Sequence, residues 1–208
     1  MARLNRERLR VACDELCRRD PAFAASLGTY GYPPLWSRAA GFATLVLIIL
    51  EQQVSLESAR AVYRRLESGC GRVTPESVSA LGQAGLRASG LTRQKAAYCL
   101  DLAERVMRGE TSFRRIARAD DADAHAMLVD IRGIGSWTAN VYLLFVLRRP
   151  DVWPPNDIAL MKSISEVHAL DTVPDNDTSQ TMAEAWRPFR AAAARMLWHA
   201  YLCRRGRA

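Results

Sequence analysis

Apolar residues return every three to four positions through most of the chain, and that period predicts helices. Leu4, Leu9, Ala12, Cys13 and Leu16 mark a first helix over residues 3–18. Pro21 and the segment YGYPPLW at 30–36 interrupt the pattern and predict a surface loop or arm. A strongly apolar helix opens at Gly41 and runs to about Gln53. Ser55 is placed to cap the next, whose Leu56, Ala59, Val62, Tyr63 and Leu66 form one stripe ending at residues 69–71. Thr74 followed by Pro75 reads as a cap and a proline at the first helical position, giving a short helix over 75–81. Thr92 caps a helix reaching Gly109, a short one covers 112–118, and Asp120 or Asp121 starts one that ends at Asp130. Residues 136–147 are helical, 150–155 form a proline-rich crossing, and helix resumes near Asp157 and again from Trp186 or Pro188 to about Arg204. No stretch alternates as a strand would, and neither repeats nor low-complexity segments interrupt the pattern.

The most informative stretch is LVDIRGIGSWTANVYLLFVL, 128–147. Two helices meet at Arg132-Gly133-Ile134-Gly135. The glycines allow a sharp turn and a close backbone approach to another surface. The second helix starts at once, so its first N–H groups face outward and form a ready anion site. On DNA that anion is a phosphate, gripped in any sequence context. Gly133, Gly135, Ser136 and Thr138 are the candidates for the grip, while Ile131 and Ile134 turn inward. A bare GxG is also what an ordinary helical corner with a glycine cap shows. The apolar residues at 128, 131 and 134 and the small residues opening the second helix favour the DNA reading.

Composition sets bounds around this. The 208 residues suffice for one globular unit or two small subdomains sharing a cleft, and 49% hydrophobic content argues against disorder. The net charge of +7 suits a polyanion but fits plain solubility as well. The apolar run at 45–50 is too short to cross a bilayer, and the charged start MARLNRERLR has no signal-peptide core. The expectation is a cytoplasmic, nucleoid-associated bacterial protein with no membrane contact. Five cysteines without paired spacing argue against a disulfide framework, and neither they nor His125, His168 and His199 are spaced as metal ligands.

The residues LxxIxGIGSWTAN followed by WPPNDIAL resemble the helix-hairpin-helix (HhH-GPD) DNA glycosylase superfamily, most closely its 3-methyladenine DNA glycosylase II group. The resemblance continues in GFATLVLIILEQQVSLESA and AWRPFRAAAARMLWHAYL, so it covers most of the chain from about residue 30. It implies an all-α fold of two helical subdomains flanking an active-site cleft. Residues 42–149 would form the central subdomain ending in the hairpin, and 1–41 with 150–208 the second.

It also implies roles. Asp157 falls where the family carries its essential aspartate, although by itself it would read as a helix cap. A carboxylate there stabilises the positive charge that develops on deoxyribose as a base leaves. A purine methylated at N3 or N7 is already cationic and departs without a general acid, so one carboxylate suffices. Gln53, with Gln52 beside it, falls at the plug that fills the stack vacated by a flipped base. Trp137 and Trp198 fall at pocket aromatics suited to a cationic base. Trp36, Trp153 and Tyr142 could contribute, with core or loop packing the better reading for the last two. Family members that nick the strand carry lysine at position 137 for a Schiff base. Here Trp137 stands there, and Lys95 and Lys162, the only lysines, lie elsewhere. The best-known members place tyrosines where this chain has Val141 and Ile158. Glu51, beside the plug, either lines the site or is solvated.

The expected activity is therefore that of a monofunctional glycosylase releasing alkylated purines from duplex DNA. The expected partner is double-stranded DNA containing a damaged base, bound by a monomer. No cofactor is required; the resemblance implies a structural Na+ or K+ on the backbone carbonyls of Val129, Ile131 and Ile134. Two other readings stand beside it: a glycosylase for a deaminated, etheno or mismatched base, and a non-catalytic DNA-binding module using the hairpin alone.

Overall fold

The computed structural model describes residues 3–207, and all the regular structure among them is helical. The helices are α1 (Arg6–Arg19), α2 (Pro21–Tyr30), α3 (Phe42–Glu51), α4 (Leu56–Cys70), α5 (Pro75–Ala88), α6 (Arg93–Met107), α7 (Phe113–Arg118), α8 (Asp121–Val129), α9 (Ser136–Phe145), α10 (Ile158–Val167), α11 (Asn176–Glu184) and α12 (Arg190–Arg204). Packing divides the chain into two compact units. One joins the residues through Ser37 to those from Leu143 onward; the other is Arg38–Tyr142, so the boundary falls inside α9.

The expected starts are set by real caps. Ser55, Thr74, Thr92 and Asp120 each accept a hydrogen bond from the backbone N–H three residues on. Each bond satisfies a donor that the helix itself leaves open, typically worth ~1 kcal/mol.

Four elements depart from expectation. Pro21 opens a helix where a break is expected: Asp20 caps the Ala22 N–H, and proline at the first position needs no donor. Of α2 only Phe23 is fully buried, too thin a stripe to show a period. Helix α11 is absent from the expectation because NDTSQTMAE is polar; Asp175 caps it at the Thr178 N–H, and it buries Ser179 and Ala183. Helix α5 is kinked at Gly82, whose φ of 60° and ψ of −176° are not helical; the helical run expected over 75–81 ends there, and the turns that follow to Ala88 are the unexpected part. Helix α9 stops at Phe145, short of 147, where the Arg149 N–H turns back onto the Leu143 carbonyl.

In the first unit α12 is the central rod. Ala191 to Leu197 and Ala200 are all buried, and the small side chains let α1, α2, α10 and α11 close on it. Leu9, Cys13, Leu16, Phe23, Leu160, Ile164 and Trp186 complete this core. In the second unit α3 takes the central place, with α4 and α6 against it. Seven of its ten residues are buried, including Glu51 at its end. No helix among the described residues is long and apolar enough to cross a membrane.

Candidate nucleic-acid interface and catalytic carboxylate

The second unit carries the hairpin. Helix α8 ends at Val129, the chain turns through residues 130–135, and the Ala139 N–H begins the α9 ladder on the Gly135 carbonyl. Leu128 and Ile131 are almost fully buried and Ile134 is 4% exposed, which fixes the turn from inside. The two glycines differ. Gly133 sits at φ 83°, and a methyl there would enter the ring of Tyr98 on α6. Around Gly135 there is open space, and its backbone is not left-handed. Gly133 therefore serves the fold, whereas Gly135 leaves the outward face of the turn bare.

The flanking polar groups are ordered in the same way. His125 Nε2 lies 2.9 Å from Ser136 Oγ, and Asn140 donates to the Ser136 carbonyl at 3.0 Å. Thr138 is buried, and its hydroxyl accepts from Gln52 Nε2 at 3.1 Å. Its side chain thus faces into the unit, and any contribution of Thr138 to a phosphate comes from its backbone. Arg105 pairs with the Asp130 carboxylate and donates to the Asp130 carbonyl, bracing the end of α8.

Gln52 and Gln53 separate in role. The Gln52 amide donates to the Gly133 carbonyl at 3.0 Å as well as to Thr138, so this side chain clasps the hairpin. Gln53 is exposed and holds a left-handed backbone at φ 57°, with exposed Val54 and Leu56 after it. Left-handed residues other than glycine cost free energy and cluster at functional positions. Lys95 Nζ donates to the carbonyls of Leu50 and Gln52 at 2.7 and 2.8 Å, and its burial there lowers the ammonium's pKa. Glu51 is neither solvated nor free: it is buried and paired with Arg38 at 2.7 Å. Trp137, on α9, is half-buried. Of the carbonyls at 129, 131 and 134, that of Ile131 accepts the Ile134 N–H and keeps a second lone pair. Among the described residues no cluster of three His, Cys, Asp or Glu side chains could hold a metal ion.

The first unit carries the carboxylate. Asp157 is the N-cap of α10, 9% exposed, and its Oδ1 accepts the Leu160 N–H at 2.9 Å. Trp198 Nε1 donates to the same oxygen at 3.3 Å, which joins these two candidates directly. Asn156, just before, is left-handed at φ 57°, and its N–H donates to Asn176 Oδ1 on α11 at 2.8 Å. Trp198 stacks on Phe145 at 5.3 Å between centroids, and the Arg195 guanidinium lies 5.3 Å from that ring.

Arg195 is wholly buried. It is held by the carbonyls of Leu35, Leu144 and Ala191 rather than by an acid. Burial lowers its pKa to about 10, so it remains a cation at neutral pH. The second unit's Tyr142 is core: it accepts the Gly41 N–H, and burial pushes its pKa up to about 12. In the first unit Trp153 packs edge-on to Trp186, also as core. Trp36 packs edge-on to His199. Val141 is buried and Ile158 is 65% exposed. Sequence reasoning missed Tyr98, Asn176, Phe145 and Arg195 altogether, and noted Lys95 only as absent from position 137. Lys95 alone left a signal, as a lysine in a chain that uses arginine almost everywhere.

A short-turned helical hairpin with a bare glycine edge, in an all-helical chain that also carries a buried carboxylate capping a helix beside a tryptophan, defines a class of DNA-repair fold. Residues 46–191 match the HhH-GPD superfamily of base excision DNA repair proteins, and the chain belongs to that family. Among its relatives, YfjP of Bacillus subtilis is 30% identical over 158 residues, 72% of this chain and 55% of its own length. DNA-3-methyladenine glycosylase 1 of Schizosaccharomyces pombe is 29% identical over 161 residues, 76% of this chain and 71% of its own. The chain thus spans little more than half of YfjP. Among solved structures, the Schizosaccharomyces pombe 3-methyladenine DNA glycosylase Mag1 in complex with abasic DNA superimposes with a TM-score of 0.82 at 27% identity, over 90% of this chain and 94% of that one. A DNA-3-methyladenine glycosidase from Bacillus halodurans gives 0.78 at 26% identity, over 91% and 88%.

Proposed function

We propose that this protein is a monofunctional DNA glycosylase that releases alkylated purines of the 3-methyladenine and 7-methylguanine type from duplex DNA. The observation that carries the reading is the Asp157–Trp198 pair: a buried carboxylate fixed by a helix N-terminus and by an indole donor. The names of the relatives point to the same substrate class.

In this reading the hairpin holds a phosphate through the first N–H groups of α9, with Gly135 allowing close approach. The carbonyls of Val129, Ile131 and Ile134 would hold a Na+ or K+ whose charge favours that phosphate. Gln53 fills the stack left by the flipped nucleotide. The base rests against Trp198, which bonds the carboxylate. The bond from C1′ to the purine nitrogen breaks, and its electron pair leaves with the base, neutralising the ring's charge. Asp157 stabilises the cationic sugar at a distance its two hydrogen bonds set. Water adds to C1′ and gives its proton to Asp157 or to solvent. The product is an abasic site. No lysine at position 137 is available for a Schiff base, so the strand stays intact.

The test uses duplexes carrying 3-methyladenine, 7-methylguanine, hypoxanthine or ethenoadenine, with native protein and Asp157→Asn. Methylpurine release that the variant loses supports the proposal. Release confined to hypoxanthine or ethenoadenine replaces the substrate class, and binding without release reduces the protein to a DNA-binding module.

A further inference from the structure

Helix α3 ends in an unusual way. Its last carbonyls have no partners within the helix. The chain leaves at once through an extended Gln52 and a left-handed Gln53, with no glycine to ease the turn. The reversal is tied down from two directions. The Gln52 side chain reaches the hairpin at Gly133 and Thr138. The Gln52 carbonyl, together with that of Leu50, takes the ammonium of Lys95.

Lys95 stands in the first turn of α6, where its own N–H is used by the Thr92 cap and where a helix disfavours a cation. Only two of the chain's 29 basic residues are lysines. An ammonium is a compact group with three donors, able to converge on two carbonyls that a flat guanidinium spans less readily. The same helix offers Tyr98, whose ring fills the place a side chain at residue 133 would take and lies under the Arg132 guanidinium at 6.0 Å. One face of α6 therefore supports both the turn at Gln53 and the turn at Gly133.

The geometry points to Lys95 as a positioning residue that fixes the Gln53 turn and joins it to the hairpin, so that gripping a phosphate places the plug in register with the duplex. This rests on the proposed DNA-repair function for its purpose, but the coupling itself is a property of the free protein. With Lys95 neutralised, the carbonyls of Leu50 and Gln52 lose a charged donor and the left-handed turn loses its restraint. The hairpin keeps Tyr98 and its own core, so its grip on phosphates persists.

The experiment compares native protein, Lys95→Met, Lys95→Gln and the control Lys162→Met, a change at an exposed position on α10. Amide hydrogen exchange is read by mass spectrometry over residues 50–55 and 128–140, and affinity is measured for undamaged and abasic-site duplexes. Lys95→Met is expected to speed exchange over 50–55 about tenfold or more, since both charge-assisted hydrogen bonds of Lys95 are lost. It should lower the preference for the abasic duplex by a similar factor and leave undamaged-duplex affinity within about twofold of native. Lys95→Gln keeps amide donors and should fall between, which separates loss of the donor from general misfolding. Unchanged exchange over 50–55 in both Lys95 variants, or equal losses on both duplexes, overturns the inference. The proposed function stands or falls on base release, and the exchange result decides the coupling whichever way that goes.

Discussion

Asp157 and Arg195 show how differently two buried charges can be housed. The carboxylate accepts two donors at one oxygen and sits at the positive end of α10. The guanidinium faces carbonyls alone and lies under an aromatic pair. Asp157→Asn keeps an oxygen for the cap, so the variant is expected to fold with an unchanged melting temperature while single-turnover base release falls about a hundredfold or more. Arg195→Met removes the donor from two carbonyls outside its own helix, those of Leu35 and Leu144. The expected cost is about 2–4 kcal/mol in urea unfolding, with the Phe145–Trp198 stack loosened. That Asp157 caps a helix was legible from its place at a helix start, while the role proposed for it came from the resemblance. The partners of Arg195 were not legible, because an arginine on a helix reads as solvated until the fold surrounds it.

The two glycines of the hairpin look equivalent in the sequence and are not. Gly133→Ala must take a left-handed backbone and displace the Tyr98 ring, so a loss of roughly 2–4 kcal/mol in stability is expected. Gly135→Ala meets empty space and should leave unfolding within ~0.5 kcal/mol of native. It should still lower affinity for damaged and undamaged duplexes alike, about tenfold, by holding the phosphate off. A loss restricted to damaged DNA would contradict the phosphate-gripping role. Helices with wide apolar faces and side-chain caps, such as α3, α4 and α6, could be read from the chain. Helix α11 could not, since NDTSQTMAE is polar and the residues it buries, Ser179 and Ala183, are small. Its cap is open to test by pH. Hydrogen bonds from the Thr178 N–H and then its side chain hold the Asp175 carboxyl below its ordinary 3.8. The stability Asp175 lends is complete above that ordinary value and is lost as pH falls through the lower folded value. Amide exchange in α11 should rise over that acid range, and Asp175→Asn should remove the dependence.

Across the whole chain, the net charge of +7 would act on DNA, in the proposed function, without reading its sequence. Affinity for undamaged and damaged duplexes is therefore expected to fall along parallel lines as log salt rises, with the lesion preference unchanged. Borohydride added during turnover should trap no protein–DNA adduct, since Lys95 is occupied by two carbonyls and Lys162 lies on the surface of α10. The all-helical class was legible because the period of the apolar residues rarely fails. The tie between the Gln53 turn and the hairpin was not, because it consists of hydrogen bonds between residues 43 and 86 positions apart in the chain.

The Gln52 clasp has a direction, and the direction decides how the protein ages. Its amide works as a donor, to the Gly133 carbonyl and the Thr138 hydroxyl. Asn176 works both ways: its oxygen accepts the Asn156 N–H, and its amide donates to Asp177 Oδ1 at 3.2 Å. A carboxylate at position 176 would keep an acceptor for the Asn156 N–H but would face the Asp177 carboxylate in place of an amide donor. Deamidation at Gln52 turns two attractions toward the hairpin into a negative charge facing a carbonyl. Stored protein should therefore lose lesion recognition with acid at position 52. Gln52→Glu, made directly, would report that damage before any storage.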